Sequence, residues 1–241
     1  MVKTDRPEAA SSIPVDDKQL FYNRFAGEFD QKMNRYDLER RVQIIFDVLS
    51  REDLKGKRIL DGGCGTGWFS MNAVQRGAQV TSLDVGYNLL RQTALKCQSD
   101  LCNGSLCDLP FREGSFDIVI SSEVIEHVPD PERAFQELVR VLKPGGTLAL
   151  TTPNRIWHWA IRLGNALGAR PYDGHENWVG YGELRRMAQS QRLQVLDQFG
   201  FHLFPFIFSW TNSLLSRIDH AGRLLGPVML NQAILAKKPL H

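Results

Sequence analysis

Residues 58–67 decide the fold and read Arg-Ile-Leu-Asp-Gly-Gly-Cys-Gly-Thr-Gly. The short apolar run that ends in Asp61 predicts a buried strand, and the stretch from Trp68 to Gln75 predicts a helix after the turn. Glycines at such a turn let the backbone bend tightly and bring helix amides close to a ligand. The spacing is Gly-x-Gly-x-Gly, whereas the dinucleotide pattern places its last glycine where this chain has Trp68. By itself the pattern indicates a tight strand-to-helix turn.

A second acid favours a ligand at this turn. The run from Ala78 to Asp84 also ends in a carboxylate, at the position where such a side chain accepts the ribose hydroxyls of a nucleoside. The alternative is an aspartate that caps a helix or braces a loop. Because the glycine turn and Asp84 are in register, we predict a nucleoside ligand.

Strands and helices alternate along the rest of the chain. Further strands are predicted near 101–105, 115–121, 147–152, 193–196 and 228–236, and helices over 18–50, 89–97, 131–142 and 182–191. This order predicts an α/β fold, in which a doubly wound, mostly parallel sheet has helices on both faces and one antiparallel strand near the C-terminus. Ligands of such sheets bind at the C-terminal edge of the strands.

The chain is predicted to form one domain, because no low-complexity linker divides its 241 residues. Residues 1–17 are polar, contain no apolar secretory segment and are expected to be a disordered tail. The domain spans 18–240. Within it we expect an N-terminal helical cap over 18–56, a cofactor-binding core over 57–153, and a substrate-side insertion and lid over 154–226.

Composition narrows the class of protein. Hydrophobic residues make up 43% and charged residues 23%, with a formal net charge of +2, and basic residues form no run longer than a pair. A nucleic-acid ligand is therefore not expected. No stretch approaches 18 apolar residues, so no membrane span is predicted. The four cysteines, Cys64, Cys97, Cys102 and Cys107, lack a Cys-x-x-Cys pair, which favours a reduced cytoplasmic setting over disulfides or zinc.

Several motifs carry a resemblance to a known family. Residues 61–67 and four later segments occur in the order of the class I S-adenosylmethionine-dependent methyltransferases: LDVG at Leu83–Gly86, LPF at Leu109–Phe111, SEVIEHVPDP at Ser122–Pro131 and LKPGG at Leu142–Gly146. Within this class the chain most resembles the ubiquinone-biosynthesis O-methyltransferases, which share Asn154-Arg155, a histidine matched to His175, and a helix matched to Glu183-Leu184. The resemblance covers about residues 57–153. It implies a seven-stranded Rossmann-like methyltransferase fold and an enzyme that uses S-adenosyl-L-methionine and releases S-adenosyl-L-homocysteine.

The resemblance also implies cofactor contacts, residue by residue. Asp61 and the backbone of Gly63, Cys64, Gly65 and Gly67 are expected to hold the methionine portion of the cofactor. Asp84 is expected to bind the ribose, and Val85, Ser105 and Leu106 to contact the adenine. Ser121 and Ser122 are expected to line the floor of the site under the methionine portion. Many relatives have an aspartate where this chain has Ser105, so the contact to the adenine amine is expected to be weaker or to come from Asp108. Arg41 is the candidate for the cofactor carboxylate.

The activated methyl group leaves the protein two tasks, which are to align a nucleophile and to exclude water. A phenol has a pKa of about 10, so a base that favours the phenolate would help at neutral pH. His127 and His175 are the candidate bases. His127 also suits a role in bracing the next helix, and His175 also suits an exposed loop.

A divalent ion is the alternative way to lower the pKa of a phenol. If residues 123–127 are helical, Glu123, Glu126 and His127 share one face and form a candidate site for Mg²⁺. The same residue types also brace the fold in relatives that use no metal.

The aromatic stretch from Phe201 to Trp210 has three interpretations: an apolar lid, core with a dimer contact, or peripheral contact with a membrane. The chain is accordingly expected to be a monomer or homodimer. We predict methyl transfer to a small-molecule acceptor, most readily a phenolic or quinone-precursor hydroxyl. The alternatives are C- or N-methylation of a secondary metabolite, and a non-catalytic cofactor-binding or membrane-peripheral assembly protein.

Overall fold

A computed structural model describes residues 17–49, 52–166, 174–203 and 221–240. Its seven strands form one sheet: β1 Arg58–Gly62, β2 Gln79–Asp84, β3 Asp100–Asn103, β4 Phe116–Ser122, β5 Leu142–Pro153, β6 Gln194–Phe201 and β7 Asn231–Lys237. They lie in the order β3-β2-β1-β4-β5-β7-β6, and only β7 runs antiparallel to its neighbours. The predicted doubly wound, mostly parallel sheet is confirmed.

Helices cover both faces of the sheet. They are α1 Phe29–Lys32, α2 Arg35–Leu49, α3 Trp68–Gln75, α4 Tyr87–Lys96, α5 Pro131–Val141, α6 His158–Ala166, α7 Tyr181–Ser190 and α8 Gly222–Leu225, with short 3-10 helices at Tyr22–Phe25, Ile125–His127, Arg155–Trp157 and Gly226–Val228. One core packs α5 and α7 on the sheet around Phe135, Leu138 and Leu184. The other packs α2 and α3 around Ile45 and Phe69. Two apolar layers thus hold the strand ends in fixed positions.

The N-terminal helical stretch differs from its prediction. A single helical run was expected over 18–50, but the described part contains a 3-10 turn, α1 and α2 as separate pieces. The chain becomes extended at Met33, and the Asn34 side chain then accepts a hydrogen bond from the amide of Asp37. This contact is typical of a new helix N-terminus. The break turns α1 away from α2, so that α1 meets the loop after β1.

One other local prediction needed adjustment, and one was met. Lys143–Gly146, expected as a turn, falls inside β5, where Gly145 adopts a left-handed φ of 76°. The sheet register shifts between Phe116 and Ile118 opposite this point, so the turn-like residues are accommodated as an irregularity of the strand. α5 begins as predicted, because Asp130 caps it and Pro131 occupies its first position.

Some predictions concern residues that lie outside the described part of the chain. The tail over 1–16 lies there, and so do 167–173 and 204–220, which include most of the aromatic stretch and part of the predicted substrate-side insertion and lid. Among the described residues, no helix is long and apolar enough to cross a membrane.

Candidate active site

A cavity of about 770 Å³ opens at the C-terminal edge of the parallel strands. The loops after β1, β2, β4 and β5 form its floor, and residues of the N-terminal segment form its roof. We call the part lined by Gly63–Thr66, Asp84 and Val85 the glycine-loop end. The part lined by Glu123, Glu126, His127, Trp178 and Asn231 is the histidine end. An open parallel sheet places ligands at this edge.

Gly63 and Gly65 shape the glycine-loop end in different ways. Both have left-handed backbones, with φ of 77° and 55°. A Cβ on Gly63 would lie 2.3 Å from a methyl group of Val124, whereas a Cβ on Gly65 would meet nothing within 4 Å. Gly63 is therefore required by packing against the loop after β4. Gly65 leaves open space on the cavity side, which a ligand can occupy.

Asp84 is fixed beneath the glycine loop. One carboxylate oxygen accepts the Gly65 amide at 2.9 Å, and the other accepts the Gly86 amide at 2.8 Å. Burial raises the pKa of Asp84, and these amide hydrogen bonds oppose the rise. A carboxylate has about four acceptor positions, so the loop amides leave capacity for hydroxyl groups of a ligand. The residues present thus fit the nucleoside part of S-adenosylmethionine.

Asp61 ends the neighbouring strand but lies behind the loop. Its carboxylate accepts a hydrogen bond from the Ser70 hydroxyl at 2.6 Å, and Ser70 in turn lies 2.6 Å from the Ser82 hydroxyl. Burial raises the pKa of Asp61 to about 7, and the hydrogen bond from Ser70 opposes the rise. Asp61 does not line the cavity. The resemblance assigned it to the methionine portion of the cofactor, and the structure places its carboxylate against Ser70 behind the loop.

The other predicted cofactor residues fall into two groups. Those that line the cavity are Arg41, Gly63, Cys64, Gly65, Asp84, Val85, Leu106 and Ser122; those that lie behind it are Asp61, Gly67, Ser105 and Ser121. Ser121 donates to the carbonyl of Gly62, and the Ser105 hydroxyl accepts the amide of Cys107. Both serines therefore brace loops. Gly67 has a φ of 85° where the loop enters α3.

Arg41 reaches the cavity from α2. Its Nε and Nη2 both lie 2.9 Å from one oxygen of Asp37, and its Nη1 donates to the Ser122 hydroxyl at 3.3 Å. Burial disfavours the Arg41 cation, but Asp37, Glu123 and Glu126 together raise its pKa. A fully charged guanidinium is thus fixed between the two ends of the cavity.

The two candidate histidines contribute different atoms. His127 lines the cavity, and its Nδ1 lies 3.0 Å from the backbone carbonyl of His175. A carbonyl only accepts, so Nδ1 carries the proton and Nε2 is the basic nitrogen. This Nε2 lies 3.8 Å from a carboxylate oxygen of Glu126. His175 does not line the cavity, and its backbone carbonyl is the acceptor for Nδ1 of His127.

Glu123, Glu126 and His127 do not form the predicted metal site. The backbone of Glu123 is left-handed, with φ of 56°, and only Ile125–His127 is helical, as a 3-10 turn. The expected shared helix face is therefore absent. Asn231 donates to Glu123 at 2.8 Å and Thr152 to Glu126 at 2.9 Å. Within the described ranges, no three His, Cys, Asp or Glu side chains are grouped to hold a metal ion. The residues present do not fit Mg²⁺.

The surroundings of Glu123 and Glu126 disfavour full ionisation of this pair of carboxyl groups. Burial and the nearby Glu126 raise the pKa of Glu123 to about 8, while Arg41 opposes the rise. Arg41 therefore supplies the positive charge that the prediction had assigned to a metal ion. The histidine end holds hydrogen-bonded carboxyl groups beside a cation that belongs to the protein.

The aromatic residues of the N-terminal segment were missed as part of the site, although Arg41 of the same segment was a candidate. Tyr22, Phe25 and Phe29 line the cavity, and the Tyr22 ring lies 5.4 Å from that of His127. Asp30 accepts from Thr66 and from Trp68 of the glycine loop. The spacing of these aromatic residues signalled only a helix. Trp178, which also lines the cavity, gave no local signal because only the fold brings it there.

Comparisons with known proteins agree with this geometry. Residues 60–150 match a family model described as a methyltransferase domain. A ubiquinone biosynthesis O-methyltransferase of Xanthomonas oryzae pv. oryzae is 43% identical over 204 residues, which are 80% of each chain. One of the same description from Coxiella burnetii is 33% identical over 63% of this chain and 70% of its own.

A solved structure shows the same fold. An S-adenosylmethionine-dependent methyltransferase from Thermotoga maritima superposes with a TM-score of 0.69 and 19% identity, covering 92% of this chain and 99% of its own. Fold, cavity and family model together define an S-adenosylmethionine-dependent methyltransferase. Within that class, the chain belongs to the family of the ubiquinone biosynthesis O-methyltransferases.

Proposed function

We propose that this methyltransferase methylates a phenolic hydroxyl of a quinone precursor, and that His127 is the general base. The observation that carries the proposal is the Nδ1 contact of His127 with the His175 carbonyl, which leaves Nε2 as the basic nitrogen of a side chain that lines the cavity. The names of the relatives, which are ubiquinone biosynthesis O-methyltransferases, support the class of acceptor.

The chain's own residues would hold the cofactor at the glycine-loop end. Asp84 would accept the ribose hydroxyls, Val85 and Leu106 would pack on the adenine, and Arg41 would pair with the carboxylate of the methionyl group. When bound, S-adenosylmethionine supplies a methyl group on a positively charged sulfur. The glycine loop would position this sulfur, because its left-handed residues let the backbone approach closely.

Proton transfer would occur at the histidine end. Nε2 of His127 would take the proton of the acceptor hydroxyl as the oxygen attacks the methyl carbon. The resulting imidazolium would be stabilised by Glu126, whose carboxylate lies 3.8 Å from Nε2 and is held by Thr152. The His175 carbonyl would keep the ring in one orientation throughout. No step requires a metal ion.

The N-terminal cap would exclude water from this chemistry. Asp30 pairs with Lys96 at 2.5 Å and accepts from Thr66, so α1 is tied to the glycine loop. Tyr22 covers His127 on the other side. We place the cap over 18–56 and the cofactor-binding core over 57–153. Closure of this kind strengthens electrostatic interactions within a site.

Peripheral membrane contact is proposed on a different surface from the one first considered. Trp159 and Leu163, one turn apart on α6, are 64% and 54% exposed, and Ile156 lies beside them at 50%. Arg162 of the same helix flanks them, whereas the nearby Arg155 is paired with Glu183. Exposed tryptophan and arginine on one helix suit a membrane interface. Substitution of Trp159 and Leu163 by aspartate should lower flotation with anionic vesicles, while an unchanged fraction would contradict the proposal.

Product analysis tests the acceptor. The purified protein should be incubated with S-adenosylmethionine and a matched set of prenylated acceptors, in which a catechol, an aniline or an enol is the reacting group. O-methylated catechol and one equivalent of S-adenosylhomocysteine are expected, with activity retained in the presence of a metal chelator. A methylated amine or carbon as the main product would contradict the proposal.

A further inference from the structure

His202 is a buried imidazole with no role in the chemistry described above. It follows β6 directly, is fully buried, and has a left-handed φ of 57°. Its carbonyl accepts the amide of Leu230 at 2.7 Å, which keeps the strand end in place. A left-handed backbone is unfavourable for a residue with a side chain, so the surrounding structure must impose it. The consequence is that the ring points towards α2.

The ring meets Asp37, which in turn holds Arg41. His202 Nε2 lies 3.4 Å from Oδ1 of Asp37. The other oxygen of Asp37 receives Nε and Nη2 of Arg41, each at 2.9 Å. The contact is an ion pair without the geometry of a hydrogen bond, and it is attractive when Nε2 carries a proton, because a carboxylate has none to donate. Asp37 is therefore held from two sides, by a fully buried ring and by the guanidinium.

This arrangement fixes the direction of the guanidinium. Asp37 and Arg41 lie on consecutive turns of α2, where such a pair is otherwise free to rotate together. Nη1 of Arg41 is directed to Ser122 at the cavity floor. Without the contact to His202, the carboxylate of Asp37 would be able to rotate, and the guanidinium of Arg41, which is bonded to it, would rotate with it. A guanidinium pairs with a carboxylate most strongly in one planar geometry.

We propose that His202 is a positioning residue for cofactor binding, which acts through Asp37 to aim Arg41 at the carboxylate of the methionyl group. This rests on the role given to Arg41 in the proposed function. His202, which lies outside the cavity and follows the C-terminal end of β6, thus sets the affinity for the amino-acid part of the cofactor. The nucleoside part is bound elsewhere, by Asp84 and Val85.

Two ligands separate positioning from general support of the fold. S-adenosylhomocysteine carries the amino-acid carboxylate, whereas 5′-methylthioadenosine has the same nucleoside and lacks it. Binding of each is measured by calorimetry to wild type, Arg41→Gln, His202→Asn and His202→Gln. Asparagine tolerates the left-handed backbone but is too short to reach Asp37, and glutamine is one methylene longer and retains a donor at the position of Nε2. Thermal unfolding checks that each variant is folded.

The expected result is selective. His202→Asn should weaken S-adenosylhomocysteine about tenfold and change methylthioadenosine less than about twofold, while His202→Gln should stay within about threefold of wild type for both. Equal weakening of the binding of both ligands, or no weakening, would overturn the positioning role.

If Arg41→Gln leaves the binding of S-adenosylhomocysteine unaffected, the assignment of Arg41 fails and the inference fails with it. If Arg41→Gln is selective and His202→Asn is not, only the inference fails. Should His202→Asn not fold, His202→Met makes the same comparison with His202→Gln.

Discussion

The glycine-loop end of the cavity is built by two consecutive strand-to-helix loops, whereas the histidine end gathers side chains from distant parts of the chain. Gly65, in the loop after β1, donates its amide directly to Asp84 at the end of the neighbouring strand β2. At the other end, Glu123 is held by Asn231 of β7, and His127 is oriented by the carbonyl of His175. The first end therefore depends on local backbone geometry. The second depends on the whole sheet being assembled.

This difference separates two kinds of failure. Changes at the glycine-loop end should lower ligand affinity with little effect on the chemical step. Changes at the histidine end should lower the rate of the chemical step and leave cofactor affinity intact. Variants in which both properties fall together would show that the two ends are not independent.

The largest effect is expected from His127→Gln. Loss of a positioned general base lowers kcat by about 10²–10⁴-fold, because glutamine cannot take the acceptor proton. Single-turnover methyl transfer to a prenylated catechol measures the rate, and calorimetry should give an unchanged affinity for S-adenosylhomocysteine. His175→Gln is the matched control, since His175 contributes its main-chain carbonyl. A comparable loss in His175→Gln alone would move the base to that residue.

Asp84→Asn is expected to have the next largest effect, on binding. The substitution would weaken the two charge-assisted hydrogen bonds that we propose to the ribose, each of about 1.5–3 kcal/mol, so affinity for S-adenosylhomocysteine should fall at least about 100-fold. Asp61→Asn is the matched control on the neighbouring strand, because Asp61 lies behind the loop. Calorimetry of the two variants decides between them. A loss in Asp61→Asn as large as in Asp84→Asn would place both carboxylates in contact with the ligand.

Gly63→Ala and Gly65→Ala test which part of the glycine loop serves packing. Alanine at a left-handed position costs about 1–2 kcal/mol, and Gly63→Ala adds a clash with Val124, for a total of about 2–4 kcal/mol of stability. Gly65→Ala should cost only the backbone part, but its methyl group enters the cavity and weakens the cofactor about tenfold. Urea unfolding and calorimetry measure the two effects. Equal losses of stability would contradict the division.

The sequence carried most of the fold and of the glycine-loop end. Helix α3 was predicted with its observed limits, and β1 and β2 within a residue or two, because short apolar runs and glycine turns are local signals. The break between α1 and α2 was missed, since Asn34 caps a helix inside a pattern that reads as continuous. Local capping overrode the apolar spacing there.

The histidine end was harder to predict for a physical reason. The spacing of Glu123, Glu126 and His127 is typical of one helix face. In the structure, Glu123 instead has a left-handed backbone, and its side chain is held by Asn231, which is far away in the sequence. The structure places His127 at the cavity, yet nothing local in the sequence shows that the His175 carbonyl sets its tautomer. Contacts of high sequence separation leave no periodic signal.

The last of these predictions concerns the pH dependence of stability at Asp61. Burial raises the pKa of Asp61 to about 7 in the folded protein, above its value of 3.8 when exposed. The folded state therefore retains a proton that the unfolded state loses, and this group's contribution to stability falls as pH rises from about 4 to 7. At about 1.4 kcal/mol for each pKa unit, the loss between pH 5 and pH 8 is about 2–3 kcal/mol.

Asp61→Asn keeps an acceptor for Ser70 and removes the charge, so its free energy of unfolding relative to wild type should rise across this range. Urea unfolding of both proteins at pH 5, 6, 7 and 8 measures the difference. Parallel profiles would mean that Asp61 is as acidic when folded as when exposed, and that the pocket behind the glycine loop is more polar than its burial indicates.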